Sequence, residues 1–226
     1  MVDPSSDAGS ITLPVRLLKV FVSPGELFES LKQRPLWGGV LAIGGLLVVA
    51  SLLLIPAEVW ISVMREQSAE TGAELPGFLR SAGAVFRIAT AAGAAIFWFL
   101  WAFVLAGIVT FVFAFFLGDE GRYREYLSVV SHALFIGAVG AVLLTPLRII
   151  QQQPDLTLNV GTFFSFLGEG YTARVLRLLD LFGLWSYTVM AIGVTKIYPN
   201  RGMGSALTFF WGFALVFALI VGIIPR

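Results

Sequence analysis

Residues 127–147 read LSVVSHALFIGAVGAVLLTPL, a stretch of 21 residues that contains no Asp, Glu, Lys or Arg. The hydrocarbon core of a bilayer is roughly 30 Å thick, and about 20 helical residues cross it. The stretch therefore has the length and the apolar character of a membrane-spanning helix. Four further stretches are similarly apolar and long enough to span, at residues 36–57, 82–117, 178–197 and 203–224. The sequence predicts an all-α membrane protein, a bundle of five transmembrane helices.

The overall composition agrees with a lipid environment. Hydrophobic residues make up 58% of the chain and charged residues 13%, whereas soluble domains carry about 25% charged residues. The formal net charge of +1 provides no basic surface for a phosphate backbone, so we expect no nucleic-acid partner. The chain has one histidine and no cysteine, which excludes the common zinc ligand sets. We expect no metal and no cofactor.

Two short segments outside the spans have features of interfacial helices. Residues 1–13 are expected to form a disordered tail, and a single membrane domain follows at residues 14–226. Within it, Ser23 suits a helix N-cap, Pro24 the first helical position and Glu26 the capping-box position. The helix that begins there, to about residue 33, would bring together an apolar face of Leu27, Phe28 and Leu31. An ordinary soluble amphipathic helix fits this pattern equally well, but the adjacent first span favours the headgroup region.

The second apolar stretch exceeds one membrane thickness. At 1.5 Å per residue, the part before Trp98 continues beyond the bilayer, so we expect one long, tilted helix that protrudes towards the preceding polar segment. That segment, residues 58–80, carries turn signals at Gly72 and at Pro76-Gly77. Between the third and fourth spans, Leu158–Leu167 is apolar but too short to cross. We expect it to be an interfacial or re-entrant segment.

The basic residues that flank the first span predict the orientation. Four precede it and one follows closely, namely Arg16, Lys19, Lys32 and Arg34 before the span and Arg65 after it. Because basic residues favour the cytoplasmic side, we expect a cytoplasmic N-terminus and, with an odd number of spans, a C-terminus outside.

Small residues at four-residue spacing would let the spans pack closely. In the third span they are Ala133, Gly137 and Ala141, with Gly140 beside them. Such a stripe is a dimerisation face or a packing face within the bundle. We favour packing within the bundle, and a homo-oligomer stays open.

A few polar groups lie within or near the spans and are the candidate functional sites: Arg87, His132, Arg177 and Asp180. An intramembrane charge costs about 2.5–3.5 kcal/mol on insertion scales and is by default a functional hypothesis. Asp180 follows Arg177 by three residues, so we expect them to share a helix face and to pair. Arg87 lies at a similar depth, which also allows a cross-helix ion pair with Asp180. We favour a structural clamp over a transport role.

No set of residues indicates catalysis. Ser131 and His132 are neighbours, so on a helix their side chains point about 100° apart and cannot act as nucleophile and base. A lone histidine inside a span is more often hydrogen-bonded than a proton relay. We therefore expect a protein that is not an enzyme.

Several segments together resemble one known family. Phe21-Val-Ser-Pro-Gly-Glu-Leu-Phe28, followed by Arg34-Pro35 and the first span, resembles the opening of Yip-domain proteins, the Ypt/Rab-interacting membrane proteins and their bacterial relatives. Leu158-Asn159-Val-Gly161 and Leu179-Asp180-Leu-Phe-Gly-Leu-Trp185, with Ala191-Ile-Gly193 behind them, resemble the same family around its fourth span. The loop with Gly118, followed by Tyr126, fits as well. The resemblance covers about residues 21–224 and adds Asn159 to the candidate sites.

The resemblance implies five transmembrane helices, a cytosolic N-terminus and a C-terminus on the opposite face. Eukaryotic members assist vesicle traffic through Rab GTPases and form complexes with other membrane proteins. They carry a long N-terminal domain where this sequence has a short tail, so we expect no Rab-type GTPase partner and a protein similar to bacterial inner-membrane members. Our first interpretation is a non-enzymatic organiser of membrane partners or lipid, which would act through Ser23–Gln33 and Leu158–Leu167. The alternative is a transporter or channel for an ion, lipid or small solute.

Overall fold

The computed structural model describes residues 11–72, 83–168 and 170–224. Within these ranges the secondary structure is helical, apart from one isolated β-bridge between Asn159 and Asp180. The helices are α1 Leu13–Val22, α2 Pro24–Leu31, α3 Gly38–Leu54, α4 Ala57–Thr71, α5 Gly83–Thr110, α6 Tyr123–Gln151, α7 Tyr171–Leu178, α8 Leu181–Ile197 and α9 Met203–Val221. A π-helical turn, Phe111–Phe116, extends α5, and a 3₁₀ segment, Val160–Leu167, precedes α7. The expected disordered tail, residues 1–13, lies outside the described residues as far as residue 10, and its last residue, Leu13, is instead the first residue of α1. The predicted turn at Pro76-Gly77 also lies outside the described residues.

Each predicted apolar stretch forms a helix, and the all-α fold is confirmed for the described residues. Three of the described helices are long and apolar enough to cross a membrane, at Ala84–Phe116, Tyr123–Gln151 and Met203–Val221. A fourth crossing results if α3 and the first part of α4 are taken together, although a bend of 71° separates them. α8 is apolar but has only 17 residues. By these criteria the structure contains three or four candidate spans, and the count of five stays a prediction.

The long second stretch is one continuous helix, as predicted. Its candidate span has 33 residues, which corresponds to about 50 Å at 1.5 Å per residue. The polar segment before it is more ordered than expected, because Ala57–Thr71 forms α4. α4 ends at Gly72 in the left-handed conformation, with φ of 67°, which is the turn that this glycine predicted.

The third span extends further than the sequence indicated. The predicted stretch ends at residue 147, but α6 continues to Gln151, with Pro146 inside the helix. Proline is tolerated inside membrane helices because neighbouring groups satisfy the freed backbone atoms.

α6 is the central helix of the bundle. It contacts α1, α2, α3, α5 and α8, and 61% of its membrane-length window is buried, against 28% for α5 and 22% for α9. Close packing depends on a glycine of the predicted stripe region: a Cβ atom at Gly140 would lie 2.5 Å from Phe182 Cγ of α8. A Cβ atom at Gly137 would meet nothing within 4 Å. Gly140 is therefore the packing glycine of this helix.

Contacts among the interhelical loops and the short helices define the two ends of the bundle. One end, called the hairpin end, holds the helical hairpin of α1 and α2. The loops that contain Asp119 and Arg201 lie at the same end. At the opposite end, α7 bonds to the last turn of α9, where Arg174 Nε donates to the Gly222 carbonyl at 3.0 Å. The first and last described residues therefore lie at opposite ends.

Candidate functional site

The N-terminal hairpin, residues 13–31, consists of α1 and α2 joined at Ser23. The predicted helix start is confirmed, because α2 begins at Pro24 with Ser23 as its N-cap. The capping box is not formed: Ser23 makes no side-chain cap, and Glu26 accepts a hydrogen bond from Lys19 Nζ at 3.0 Å. Glu26 therefore ties α2 to α1 and does not close the first turn of α2.

The apolar face of α2 packs into the bundle. Leu27, Phe28 and Leu31 are buried, so the sequence predicted the face correctly. This face lies against α8 and α6. A Cβ atom at Gly193 of α8 would lie 3.1 Å from Phe28 Cδ2 and 2.7 Å from Val129 Cγ2 of α6. Only glycine permits α2, α6 and α8 to meet this closely, so the hairpin is part of the core.

His132 lies beneath the hairpin and is completely buried. Its Nδ1 atom is 2.8 Å from the Ser128 carbonyl oxygen, the hydrogen-bonded arrangement that the sequence analysis favoured. The Phe28 ring meets the imidazole edge to face, with centroids 6.3 Å apart. The Nε2 atom is buried without a partner.

Arg16 of α1, one of the basic residues that predicted the orientation, is a buried cation. The residue is 7% exposed, and burial lowers the pKa of its guanidinium below the ordinary value. Its Nη1 atom donates to the Leu36 carbonyl at 3.3 Å, and Ser128 Oγ donates to the same oxygen at 3.2 Å. Arg16 lies four residues before Val20, which is also buried, so the two residues share the buried face of α1.

Asp180 and Arg177 do not share a helix, so that prediction was wrong. α7 ends at Leu178, and Asp180 is the N-cap of α8, where its Oδ1 atom accepts a hydrogen bond from the Gly183 N–H at 2.7 Å. The break occurs because the chain pairs with the segment before the 3₁₀ turn. There Val160 N donates to Leu179 O at 2.9 Å and Leu181 N to Leu158 O at 2.8 Å.

The structure does not bring Arg87 to Asp180. Neither residue belongs to the ion pairs of the described chain, which join Lys19 to Glu26, Lys196 to Glu29 and Arg201 to Asp119. Arg87 lies in the first turns of α5, and its Nε atom is buried without a partner. At the start of the cap, Arg148 Nε donates to the Leu156 carbonyl at 2.9 Å.

The cap, residues 156–168 and 170–180, is organised by Asn159. Its Nδ2 atom donates to Thr157 Oγ1 at 3.1 Å, and its Oδ1 atom accepts from the Thr162 N–H at 3.1 Å. These bonds fix the start of the 3₁₀ segment. The segment then exposes four large apolar side chains, those of Phe163, Phe164, Phe166 and Leu167.

A buried carboxylate at the hairpin end was not predicted. The Asp119 side chain is 0% exposed and pairs with Arg201, whose side chain is 16% exposed. Arg201 Nη2 donates to Asp119 Oδ1, and Nε donates to Oδ2 at 3.3 Å. The hydrogen bond to Asp119 raises the pKa of Arg201 above its ordinary value. Asp119 and Arg201 lie in two interhelical loops that the predicted topology places on the same side of the membrane. This shared side was the sequence signal for the pair.

The π-helical turn positions this carboxylate. Leu117 N donates to Val112 O at 2.9 Å, and Asp119 N donates to Phe113 O at 2.9 Å, so the chain widens as it leaves α5. The Arg201 guanidinium lies 5.9 Å from the centre of the Phe113 ring, within cation–π range. The π-helical turn after α5 thus places Asp119 and Phe113 in contact with Arg201 of the α8–α9 loop.

Comparison with known proteins places the chain in a family. The profile of the Yip1 domain matches residues 18–224. The chain belongs to the Yip1 domain family. Membrane protein YknW of Bacillus subtilis (strain 168) is 27% identical over 235 residues, which cover 96% of this chain and 94% of YknW. No solved structure matches.

Four of the sequence segments that carried the resemblance are in contact in pairs in this Yip1 domain. α2, which contains the Pro-Gly-Glu segment, packs against α8 at Gly193. Asn159 and Asp180, from the other two segments, form the β-bridge. The described part of the Yip1 domain contains no group of three or more His, Asp and Glu side chains that could hold a metal ion.

Proposed function

We propose that this Yip1 domain protein is a non-enzymatic organiser of membrane partners or lipid. It crosses the bacterial cytoplasmic membrane as five helices, with the N-terminus in the cytoplasm and the C-terminus outside. Its partners are membrane lipid and other membrane proteins. The bacterial relative, itself named a membrane protein, supports the location. The position of the first and last described residues at opposite ends of the bundle supports the odd number of crossings.

The observation that carries this proposal is the exposed aromatic surface of the cap. Phe163 is 63% exposed and Phe166 79%, although Asn159 and the Asp180 bridge hold the backbone beside them. Aromatic side chains on a fixed backbone lose little conformational entropy on binding and are enriched at protein interfaces. The cap is therefore suited to another membrane protein. Ser23–Gln33 is a weaker candidate than the sequence indicated, because the apolar face of α2 is buried in the bundle.

The three candidate polar side chains within or near the spans lie apart from one another, which argues against the transporter alternative. His132 packs against Phe28 of the hairpin, and Asp180 is the last residue of the cap and the N-cap of α8. Arg87 lies in the first turns of α5, and α4 packs against α5. Each occupies a separate place and has different neighbours.

Site-specific photo-crosslinking tests the organiser role. A photo-reactive phenylalanine at Phe166 should form a discrete adduct with a second protein in native membranes. The matched control is Phe217 of α9, which is 52% exposed and faces outward from the bundle. If Phe166 gives only lipid adducts, or the same protein adducts as Phe217, the cap is not a partner surface.

Two further measurements test the topology and the alternative. Reporters at Asp119 and Asn200 should lie in the cytoplasm, and those at Thr71 and Pro154 outside. Thr71 and Asp119 on one side would exclude a crossing by α5. Purified protein in liposomes should give no solute flux above that of empty vesicles. A flux that Asp180→Asn abolishes in a folded protein would overturn the organiser proposal.

A further inference from the structure

Arg16 is a buried cation whose charge no carboxylate of the described chain balances. Its Nε atom is buried without a partner, and the acceptor of its Nη1 atom is the neutral carbonyl of Leu36. A buried charge without a counter-charge is strongly unfavourable. An anion beside the guanidinium would offset this cost.

The two acidic residues of the hairpin already have partners. Glu26 pairs with Lys19 at 3.0 Å, and Glu29 pairs with Lys196 of α8 at 3.2 Å. These pairs leave no hairpin carboxylate for Arg16.

The surroundings of Arg16 suit a phosphate group. The Leu36 carbonyl lies two residues before α3, whose N-terminus has no side-chain cap. Free N–H groups and the positive end of the helix dipole attract anions at such a terminus. A Cβ atom at Gly38 would meet nothing within 4 Å, so the first turn is open. Arginine binds phosphate through paired N–H donors.

The neighbouring surface suits acyl chains. α1 exposes Val15, Leu18 and Val22, which are 44%, 64% and 69% exposed. Residues at this spacing share one face of a helix. The face flanks Arg16 at the end of the bundle where α3 begins. In the proposed topology α3 enters the membrane at this end, so the end lies at the level of the lipid headgroups.

We infer that Arg16 and the open N-terminus of α3 bind the phosphate of an anionic phospholipid, with its acyl chains along the exposed face of α1. A free phosphate would satisfy the guanidinium but not the apolar face. The inference deepens the proposed function, since it specifies lipid as one of the two partner classes and places it at the hairpin.

Native mass spectrometry of the full chain in detergent, titrated with phosphatidylglycerol, tests this site. Arg16→Gln should weaken retention of one bound lipid by about tenfold or more, because charge-assisted hydrogen bonds are lost. The matched control is Arg34→Gln, an exposed arginine of the same flank, which should leave retention unchanged. Equal retention in Arg16→Gln and the unmodified chain would overturn the inference.

Further arms identify the source of the anion. Phosphatidylcholine should bind more weakly, and inorganic phosphate should not displace phosphatidylglycerol. Displacement by inorganic phosphate would make a free anion the ligand. If Asp3→Asn with Asp7→Asn reproduces the loss seen in Arg16→Gln, a carboxylate of the chain is the counter-charge and the lipid site is rejected.

A measurement on the unmodified chain covers the case in which Arg16→Gln does not fold. Phosphatidylglycerol should raise its melting temperature more than phosphatidylcholine or inorganic phosphate does, and equal shifts would reject the site. The Phe166 crosslinks report on the proposed partner surface at the other end of the bundle. They should persist in Arg16→Gln, so the two proposals can fail separately.

Discussion

Replacing Arg201 with methionine would remove the counter-charge of a fully buried carboxylate. Asp119 would lose both hydrogen bonds from the guanidinium, and the Leu117 carbonyl would lose the one it accepts at 3.2 Å. Methionine keeps much of the side-chain volume over Phe113. The perturbation therefore isolates the charge and its hydrogen bonds from the packing.

The expected loss in the free energy of unfolding follows from the difference in burial between Asp119 and Arg201. Breaking a buried ion pair by removing one partner costs about 3–5 kcal/mol, because the other charge stays uncompensated. Arg201 is 16% exposed, which lets some water reach the site, so we expect about 3 kcal/mol. Asp119→Asn should cost less, about 1–2 kcal/mol, since the partly exposed Arg201 can turn to water.

A double-mutant cycle in mixed micelles, with unfolding by SDS, measures these values. Arg201→Met combined with Asp119→Asn should cost less than the sum of the single changes, with a coupling of about 1–3 kcal/mol. Lys196→Met is the matched control. Its ion pair with Glu29 has side chains that are 36% and 65% exposed, and such a pair contributes about 0–1 kcal/mol. Additive costs, or a larger loss from Asp119→Asn than from Arg201→Met, would refute the reasoning.

Substitutions at Gly193, Asp180 and Tyr171, with matched controls for the first two, test the packing and the capping contacts by the same unfolding assay. Gly193→Ala should destabilise by about 1–3 kcal/mol because its Cβ atom would enter the contact with Val129. Gly212→Ala, where a Cβ atom meets nothing within 4 Å, should be neutral or stabilising by up to about 1 kcal/mol; equal effects at the two glycines would contradict the close helix approach. Asp180→Ala should cost about 1 kcal/mol, and Asp180→Asn should recover most of it, because either side chain caps α8. Tyr171→Phe should cost about 0.5–1.5 kcal/mol through the lost bond to an α9 carbonyl at 2.9 Å, and no loss would mean that α7 is not held to α9 by this bond.

Hydrophobic length predicted the helices well, because the bilayer imposes it on each span separately. The apolar face of α2 was also predictable, since Leu27, Phe28 and Leu31 follow helical spacing. The surroundings of that face were not predictable, because helical spacing does not say whether lipid or protein covers it. The core of the bundle covers it here.

The candidate charges were harder to place, because ion pairing depends on side chains distant in sequence. Arg177 and Asp180 are three residues apart and were expected to share a helix face. They do not, because a helix boundary lies between them at Leu179. The Asp119–Arg201 pair joins residues 82 positions apart, and only the shared side of their loops pointed to it. Arg16 was counted as a topogenic charge, whereas its neighbours bury it.

The docking of the N-terminal hairpin also has an order in time. Glu29 and its partner Lys196 are 167 residues apart, so the ribosome completes α2 long before α8. At 5–20 residues per second, the interval is roughly 10–30 s. During translation Leu27 and Phe28 therefore lack their contacts with α8 until α8 has been made. The hairpin can complete its packing only after α8 has been inserted.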